Sequence, residues 1–513
     1  MNQGLTRRTL IKAMGIGAGM ALGGGYLPRV SAADKPVKGG VLRAAFAGAG
    51  GDSASVLHSN SSNLAYVRTR LIWDSLAELE NGRVIWRLMT SAEPNKEATL
   101  WTIKIRLGVT FSNGRKLSAK DVFYSLNVWK KHPGSQNGWL KPLNMAGSRI
   151  VDADTLQLKL DKPVGFFDLL LAQSIFIFPD GTQDFANAPG SGPFTQQSWS
   201  ADKSVLQARD DYWDADNGGP YLAQIQLFAV SDPAARLNGV KSGQFDYAGG
   251  MTMLTARAEK DNPAIRLLQS PDSEMSDLAF SMNLSKAPFN RPDVVEALKY
   301  AIDREAMVRA VTFGFGQVGN DAMGAGQPWF SPDLPVRHYD PDRAKSLLKK
   351  AGIGDTDADI RTSDYEYGTA ESATLLLRQA KAAGFNLRLN RVPAQDYYSD
   401  FGLLLNTPLQ TNLFRPMPLP VALSSYYGSD APWPFTGQAS PKLDSLMKAL
   451  QAARGDELRA RTADVQQWLW QQGGDAIFAR MPSIAASAPA VSGVRGAGFF
   501  DYPLLRDAWL RRS

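Results

Sequence analysis

The sequence of 513 residues contains no cysteine. Disulfide bonds, thiolate metal ligands and a cysteine nucleophile are therefore excluded. A lipid anchor on a cysteine is excluded for the same reason, so we expect the mature protein to be soluble and not lipid-anchored. An exported protein with neither a disulfide nor an anchor fits the Gram-negative periplasm.

Histidine is also scarce. The three histidines, His58, His132 and His338, lie in unrelated contexts and show no HExxH spacing. The sequence has no GxSxG motif and no P-loop, and it shows no cluster of the side chains that bind metals directly. We therefore expect a protein that is not an enzyme and has no catalytic residues, no metal site and no cofactor.

Neither basic nor acidic residues dominate the chain. The formal charge of +6 owes four positive charges to residues 1–32, beyond which 52 basic residues face 50 acidic ones. No dense basic stripe is present, so nucleic acid is not an expected partner. With 44% hydrophobic and 21% charged residues, the chain has the composition of a folded soluble protein, long enough for two or three domains.

The first 32 residues read as a signal peptide. TRRTLIK at residues 6–12 is followed by an uncharged apolar stretch from Ala13 to Pro28 and by small residues at Ser31 and Ala32. The stretch is too short and too glycine-rich to span a membrane. The spacing of Arg7-Arg8 before Leu10 and Lys12 resembles the twin-arginine consensus, which predicts export by the Tat translocase. An ordinary Sec leader with two arginines is the alternative.

Periodic patterns predict a mixed α/β protein. Alternating apolar residues predict strands at residues 101–107, 156–160 and 278–284. Helical spacing with start and stop signals predicts five helices: 118–130 capped by Ser118, 292–302 begun by Pro292, one from Pro341 capped by Asp340 and stopped by Gly352, 372–383 ended by Gly384, and one from Asp456 to Gly473. The strand-like segment FNLRLNRV follows Gly384 and completes an αβ unit.

Five collinear segments carry a family resemblance. They are FSNGRKLSAKDVFYSL from Phe111, SGPFTQQSW from Ser191, ARDDYWDADNGGPYL from Ala208, VKSGQFDY at 240–247 and DVVEALKYAIDRE at 293–305. In this order and spacing, the chain resembles the extracellular solute-binding proteins of family 5, which include dipeptide-, oligopeptide-, nickel- and opine-binding members. The resemblance covers nearly the entire mature chain.

The resemblance implies a fold and a function. The implied fold is a two-lobed clam of the periplasmic binding protein type, with three domains whose mixed sheets are flanked by helices. Domain I would be discontinuous (33–63, 183–277 and 482–513), domain II would span 64–182 and domain III 278–481. The chain would be a monomer that captures a peptide or peptide-like solute between its lobes and delivers it to an ABC permease and ATPase. A receptor for a chelated metal or haem, or a chemoreceptor accessory or chaperone of the same fold, remains an alternative.

Three loops are predicted to reach the ligand. Ser53 lies in the polar loop 48–60 after the first strand, and Gly249, Gly250 and Met251 follow VKSGQFDY, where the glycine pair would let the backbone approach a ligand closely. Trp139 lies in a glycine-flanked loop. A solvent loop, a simple turn and a buried anchor, respectively, are the structural alternatives.

The segment NLFRPMPLPV at 412–421 is the most informative. Its three alternate prolines predict an extended loop at the edge of the cleft. Peptide-binding relatives carry an acidic stretch hereabouts, whereas this chain has Arg415 as its only charge between Asp400 and Asp430. Arg415 therefore predicts a contact with a carboxylate or other anion of the ligand, with an exposed loop arginine as the alternative. Tyr426 and Trp433 are predicted cavity walls or core residues.

Overall fold

A computed structural model describes residues 35–48, 53–59, 61–80, 83–133, 135–353, 356–364, 366–437, 440–494 and 503–511. The predicted signal peptide at 1–32 lies outside these residues, as do residues 49–52 and 60 of the predicted ligand loop. No helix in the described ranges combines the length and the apolar character that a membrane crossing requires.

The largest sheet in the described part of the chain has seven strands. From one edge to the other they are β12 (Arg266–Gln269), β19 (Ile484–Ser487), β11 (Tyr247–Ala248), β1 (Val41–Phe46), β10 (Gln224–Ala229), β9 (Lys203–Ala208) and β8 (Phe194–Trp199). The sheet is mixed, because β1 pairs parallel to β10 and β11 whereas the outer pairs are antiparallel. Its strands come from three separate parts of the sequence.

A second mixed sheet has six described strands. Their order is β14 (Gln317–Val318), β18 (Asp475–Met481), β13 (Ser276–Met282), β17 (Leu409–Phe414), β15 (Thr356–Thr362) and β16 (Phe385–Arg391). The central strands β13 and β18 are almost wholly buried, which fits their near-continuous apolar sequences.

A third sheet is antiparallel, and two small hairpins complete the strands. In the described residues the third sheet contains β4 (Met89–Pro94), β5 (Leu100–Ile105), β7 (Thr155–Leu160) and β6 (Leu143–Ile150), in that order. The small pairs are β2 (Ala77–Glu80) with β3 (Arg83–Trp86), and β20 (Val491–Ser492) with β21 (Trp509–Leu510). The three predicted domains and their boundaries stay a prediction.

Fourteen α-helices lie in the described residues. They are α1 (Asn63–Ile72), α2 (Ala119–Lys131), α3 (Ser135–Trp139), α4 (Phe167–Leu171), α5 (Pro233–Lys241), α6 (Met253–Glu259), α7 (Pro292–Tyr300), α8 (Arg304–Thr312), α9 (Pro341–Lys350), α10 (Thr369–Ala382), α11 (Phe401–Asn406), α12 (Leu419–Tyr426), α13 (Pro441–Ala452) and α14 (Gly455–Gln472). Short 3-10 turns occupy Val56–His58, Asp272–Glu274 and Ala394–Asp396.

The helix and strand predictions are confirmed in most of their details. Ser118 precedes α2, and its backbone N–H donates to the Asp121 carboxylate at 2.8 Å. Asp340 caps α9 by accepting from the backbone N–H of Arg343, and Pro341 takes the first turn, where its missing N–H costs no hydrogen bond. The helix predicted from Asp456 is α14, which ends before Gly473.

Three segment predictions are wrong in part. β5 ends at Ile105, and Leu107 is 64% exposed in the turn that follows. β13 ends at Met282 and excludes Leu284. The predicted loop 412–421 shrinks to residues 415–418, because Asn412 to Phe414 pair in β17 and α12 begins at Leu419 with Pro420 in its first turn. Proline suits the first turn of a helix, where its missing N–H costs no hydrogen bond, so a proline-rich pattern is also compatible with a helix start.

The chain passes between the two large sheets at two points. Residues 270–275 lead from β12 to β13, and Pro482-Ser483 lead from β18 back to β19. The seven-stranded sheet and the six-stranded sheet are therefore joined by two short links.

Candidate ligand-binding site

Two predicted ligand-binding tryptophans line one cavity. Trp139 ends the short helix α3, and Trp433 lies in the turn after α12, where its backbone N–H donates to the Ser425 carbonyl at 3.0 Å. The cavity has a volume of about 310 Å³. Apolar side chains from the two parts of the chain complete its walls: Val164, Phe166, Leu170 and Val421. Residues almost 300 positions apart thus form one aromatic pocket, the type of surface that holds small organic ligands.

Charged side chains surround the mouth of this cavity. The Lys162 ammonium lies 2.9 Å from the Asp430 carboxylate, and both side chains are substantially exposed. The hydrogen bond from Lys162 is the main cause that lowers the pKa of Asp430. Lys141 and Asp161 add one charge of each sign. The rim therefore carries both signs in equal number.

A backbone contact closes one side of the cavity. The Gly165 N–H donates to the Gln451 carbonyl at 2.7 Å, next to the lining residues Val164 and Phe166. A Cβ atom on Gly165 would lie 2.1 Å from the Ala453 carbonyl oxygen. Only glycine therefore fits, and this close approach joins the loop after β7 to the end of α13.

Two polar groups at the cavity have no hydrogen-bond partner among the described residues. They are the indole Nε1 of Trp139, whose residue is 5% exposed, and the hydroxyl of Ser424. An indole N–H can only donate a hydrogen bond. Both atoms are shielded from water and lie beneath the surface that the cavity exposes.

Tyr426 lies behind the cavity wall. Its ring centroid is 6.0 Å from that of Trp433 and 4.8 Å from that of Phe414. Burial raises the pKa of the Tyr426 phenol. Tyr426 thus supports Trp433 and links the cavity to the loop that carries Arg415.

Arg415 is already paired within the protein. Its Nη2 lies 2.6 and 2.7 Å from the two carboxylate oxygens of Glu366, with the side chains 30% and 14% exposed. Burial raises the pKa of Glu366, and Arg415 counteracts that increase. The stretch around Arg415 contains no acid, and the fold brings Glu366 to it from 49 positions away.

The glycine pair and Ser53 lie outside this cavity. The carbonyls of Gly249 and Gly250 accept from the Arg236 guanidinium at 2.8 and 2.7 Å. The backbone N–H of Met251 donates to the Ile484 carbonyl, and its side chain is buried. The Ser53 carbonyl accepts from Arg68, and its hydroxyl accepts from the Ser55 N–H. The structure thus brings together Trp139, Trp433 and Tyr426, but not Ser53 or the glycine loop, at this cavity.

Sequence reasoning missed Gly165, Ser424 and the pair Lys162–Asp430. Gly165, Lys162 and Asp430 lie in short loops and Ser424 lies in α12. None of them belongs to a local motif, and each matters only through its position in three dimensions. Among the described residues no cluster of three or more histidine, aspartate or glutamate side chains could hold a metal ion.

Residues 83–425 match the family described as bacterial extracellular solute-binding proteins, family 5 Middle. The chain belongs to this family. A curated relative, the glutathione-binding protein GsiB of Salmonella typhimurium, is 26% identical over 310 residues, which cover 57% of this chain and 58% of the relative. The chain thus matches under two thirds of the length of this relative.

Solved structures of family members share the fold. The periplasmic binding protein DppA from Helicobacter pylori, in complex with the peptide STSA, aligns with a TM-score of 0.74 at 20% identity, covering 93% of this chain and 99% of the other. The oligopeptide-binding protein AppA from Bacillus subtilis, in complex with a nonapeptide, gives 0.73 at 19% identity, with coverage of 93% and 100%. The predicted α/β class with a two-lobed binding-protein fold is confirmed.

Proposed function

We propose that the chain is the solute-binding component of an ABC importer, which captures a peptide or peptide-like solute and delivers it to a permease and ATPase complex. The observation that carries this proposal is the aromatic cavity between Trp139 and Trp433, in a chain of the solute-binding family. The protein acts by binding and release, without catalysis.

Capture follows from the two sets of contacts that join the lobes. The links at Ser270 and Ser483 hold the lobes together at one place, and Gly165 meets Gln451 at another. Opening has to break the second set, to which the Lys162–Asp430 ion pair and the hydrogen bond from Arg454 to the Asn95 carbonyl also belong. A ligand in the cavity favours the closed state to the extent that it binds that state more tightly than the open one.

The ligand contacts that we propose fall into two groups. Trp139 and Trp433 form the walls of the cavity, supported by Tyr426, and Arg415 offers its charge to an anionic group of the ligand in competition with Glu366. Ser53, Gly249, Gly250 and Met251 contribute backbone contacts from the other lobe. The proposal for Ser53 and for Gly249, Gly250 and Met251 is supported by the family resemblance and by their position in the loops that follow β1 and β11.

We further propose a periplasmic, monomeric protein without a lipid anchor, exported by the Tat translocase. The absence of cysteine and the TRRTLIK segment support this location. The three predicted domains, with domain I assembled from three segments, belong to the same proposal.

Native mass spectrometry of the protein purified from its own periplasm tests the function by revealing a retained solute. Reduced glutathione is the first pure probe, because the GsiB relatives carry that name. A bound solute should raise the melting temperature by mass action and reduce the radius of gyration in solution scattering. A solute that binds tightly and changes neither quantity would contradict capture by closure.

A further inference from the structure

We infer that His58 and His132 bind one divalent transition-metal ion between them, with water completing the coordination of the metal. Neither histidine lines the proposed solute cavity, so the site is separate from the one that captures the solute. Its absence would leave the proposed function unchanged. The sequence predicts no metal site, because it places the two residues in unrelated contexts, whereas the fold brings them together.

Two of the three histidines in the chain meet in the fold. The ring centroids of His58 and His132 are 6.1 Å apart. His58 ends the short 3-10 turn that follows β1, and His132 is the first residue after α2. Imidazole is the commonest metal ligand in proteins, and the fold gathers most of the small supply in this chain at one place.

The distance between the two rings fits a shared metal ion. A metal lies about 2.1 Å from each ligating nitrogen and therefore about 3.2 Å from each ring centroid. Two imidazoles on one ion thus have centroids about 5 Å apart at a tetrahedral angle and about 6.4 Å apart when they lie opposite each other. The observed 6.1 Å falls within this range. His58 is exposed, so its side chain can change rotamer to improve the geometry without disturbing the core.

The surroundings of His132 hold its ring in a form that can bind metal. The ring packs edge to face against Trp129, with centroids 6.0 Å apart, and one ring N–H donates to the Pro133 carbonyl. A histidine that binds a metal typically donates its other N–H in this way, which fixes the tautomer and leaves one nitrogen free for the metal. Burial and the neighbouring His58 lower the pKa of His132, so this imidazole is neutral at pH 7.

Two imidazoles select for particular metals. Ca²⁺ and Mg²⁺ take oxygen ligands, whereas imidazole suits Cu²⁺, Ni²⁺ and Zn²⁺. No third histidine, aspartate or glutamate among the described residues joins the pair, so water has to fill the remaining positions. The affinity of a nitrogen site of this kind is highest for Cu²⁺ among the first-row divalent metals. The pair should therefore prefer Cu²⁺ to Zn²⁺, and Cu²⁺ is the probe of choice.

A metal bound to both histidines joins two parts of the chain. The turn that ends at His58 lies in predicted domain I, and α2, which ends next to His132, lies in predicted domain II. The unfolded chain does not hold the two imidazoles together, so metal binding stabilises the folded state by mass action. Addition of Cu²⁺ should therefore raise the melting temperature.

Titration calorimetry and electron paramagnetic resonance with Cu²⁺ test the site on the mature protein, prepared without a histidine tag. We expect Cu²⁺ to bind with a dissociation constant in the micromolar range and its resonance signal to show two imidazole nitrogens. His58→Gln and His132→Gln should each weaken binding at least about tenfold and leave a single imidazole nitrogen in the signal. Each should also abolish the rise in melting temperature.

His338→Gln is the matched control, because it removes the third imidazole, which is exposed and belongs neither to the turn nor to α2. It should bind Cu²⁺ as the wild type does. The metal site would be overturned by a wild-type protein that binds no Cu²⁺ in the micromolar range, by equal affinity in all four proteins, or by a loss confined to one of two folded variants of the pair. If His132→Gln fails to fold, His58→Gln decides alone, since the His58 side chain is exposed.

Discussion

Ser270 and Ser483 hold the two links between the large sheets together by a reciprocal pair of hydrogen bonds. The backbone N–H of Ser270 donates to the Ser483 carbonyl at 3.0 Å, and the backbone N–H of Ser483 donates to the Ser270 hydroxyl at 3.1 Å. The links are 213 positions apart in sequence. Because each is short and lies between two strands, a rotation of the lobes has to be absorbed within these few residues.

Ser270→Ala removes one bond of the pair and leaves the backbone N–H of Ser483 without its acceptor. We expect the free energy of unfolding to fall by about 1 kcal/mol, with the fold unchanged. Chemical denaturation measures this loss. Ser276→Ala is the control, since the Ser276 hydroxyl makes no hydrogen bond with the described residues; an equal loss there would argue against a specific role of the pair.

Several strands and helices could be predicted from local patterns. Alternation at 101–105 and 156–160 predicts β5 and β7, because a half-buried strand needs apolar side chains on one face only. Asp340, Pro341 and Gly352 frame α9 because helix ends need a cap and a stop. These signals involve only residues that are close in sequence, so they can be recognised without knowledge of the rest of the fold.

The candidate site could be predicted only in part. The sequence predicts Trp139 in a loop, whereas the structure places it at the end of helix α3. The meeting of Trp139 and Trp433 in one cavity depends on contacts between distant parts of the chain. The partner of Arg415 could not be found, because Glu366 lies 49 positions away in a loop without a motif. Gly165 matters because a Cβ atom at this position would lie 2.1 Å from the Ala453 carbonyl oxygen. Such a contact between distant segments leaves no periodic pattern in the sequence.

Gly165→Ala should weaken the closed state. The added methyl group would overlap the carbonyl oxygens of both Ala453 and Ala452, and backbone atoms cannot rotate away as a side chain can. We expect the closed state to lose about 1–3 kcal/mol of stability at this contact. The radius of gyration in solution scattering should therefore increase.

Gly138→Ala provides the matched glycine, because a Cβ there meets nothing within 4 Å. It should leave the radius of gyration of the ligand-free protein unchanged. The closing role of Gly165 would be refuted by a Gly165→Ala protein as compact and as stable as the wild type.

Asp277 should make stability depend on pH. Burial raises the pKa of Asp277 to about 6, and Arg480 only partly offsets it. In the folded state the Asp277 carboxyl keeps its proton up to about pH 6, whereas in the unfolded state it loses the proton near pH 4. The free energy of unfolding therefore falls as the pH rises from about 4 to about 6.

Asp277→Asn removes the titration while keeping the shape. The variant should gain stability relative to the wild type between pH 4 and pH 7, by about 2 kcal/mol in the free energy of unfolding. Denaturation at both pH values measures the difference, with the exposed carboxylate variant Asp342→Asn as the control. A wild-type minus variant difference that is constant with pH would show that Asp277 does not titrate in this range.

Export should depend on the paired arginines at positions 7 and 8. Replacing both with lysine keeps the positive charge of the leader but removes the pair that the Tat receptor reads. We expect the precursor to accumulate in the cytoplasm, as fractionation and immunoblotting would show. Lys12→Arg also keeps the charge and should be exported normally, and unimpaired periplasmic delivery of the double variant would assign the leader to the Sec route.

Arg415 has two separable roles, one inside the protein and one toward the ligand. Removing it leaves the carboxylate of Glu366, whose side chain is 14% exposed, without its ion-pair partner. For a partly buried pair we expect Arg415→Ala to lower the free energy of unfolding by about 1–3 kcal/mol, between the values for exposed and buried pairs. Any loss of ligand affinity in that variant alone would therefore be ambiguous.

The double variant Arg415→Ala with Glu366→Gln removes the ambiguity, because it leaves no unpaired charge. We expect most of the stability to return, since a neutral amide replaces the stranded carboxylate. If Arg415 also binds an anionic group of the ligand, the double variant should still bind that ligand at least tenfold more weakly than Glu366→Gln does. Calorimetry on the four proteins separates the two effects: equal affinity in Glu366→Gln and in the double variant would confine Arg415 to its pairing with Glu366.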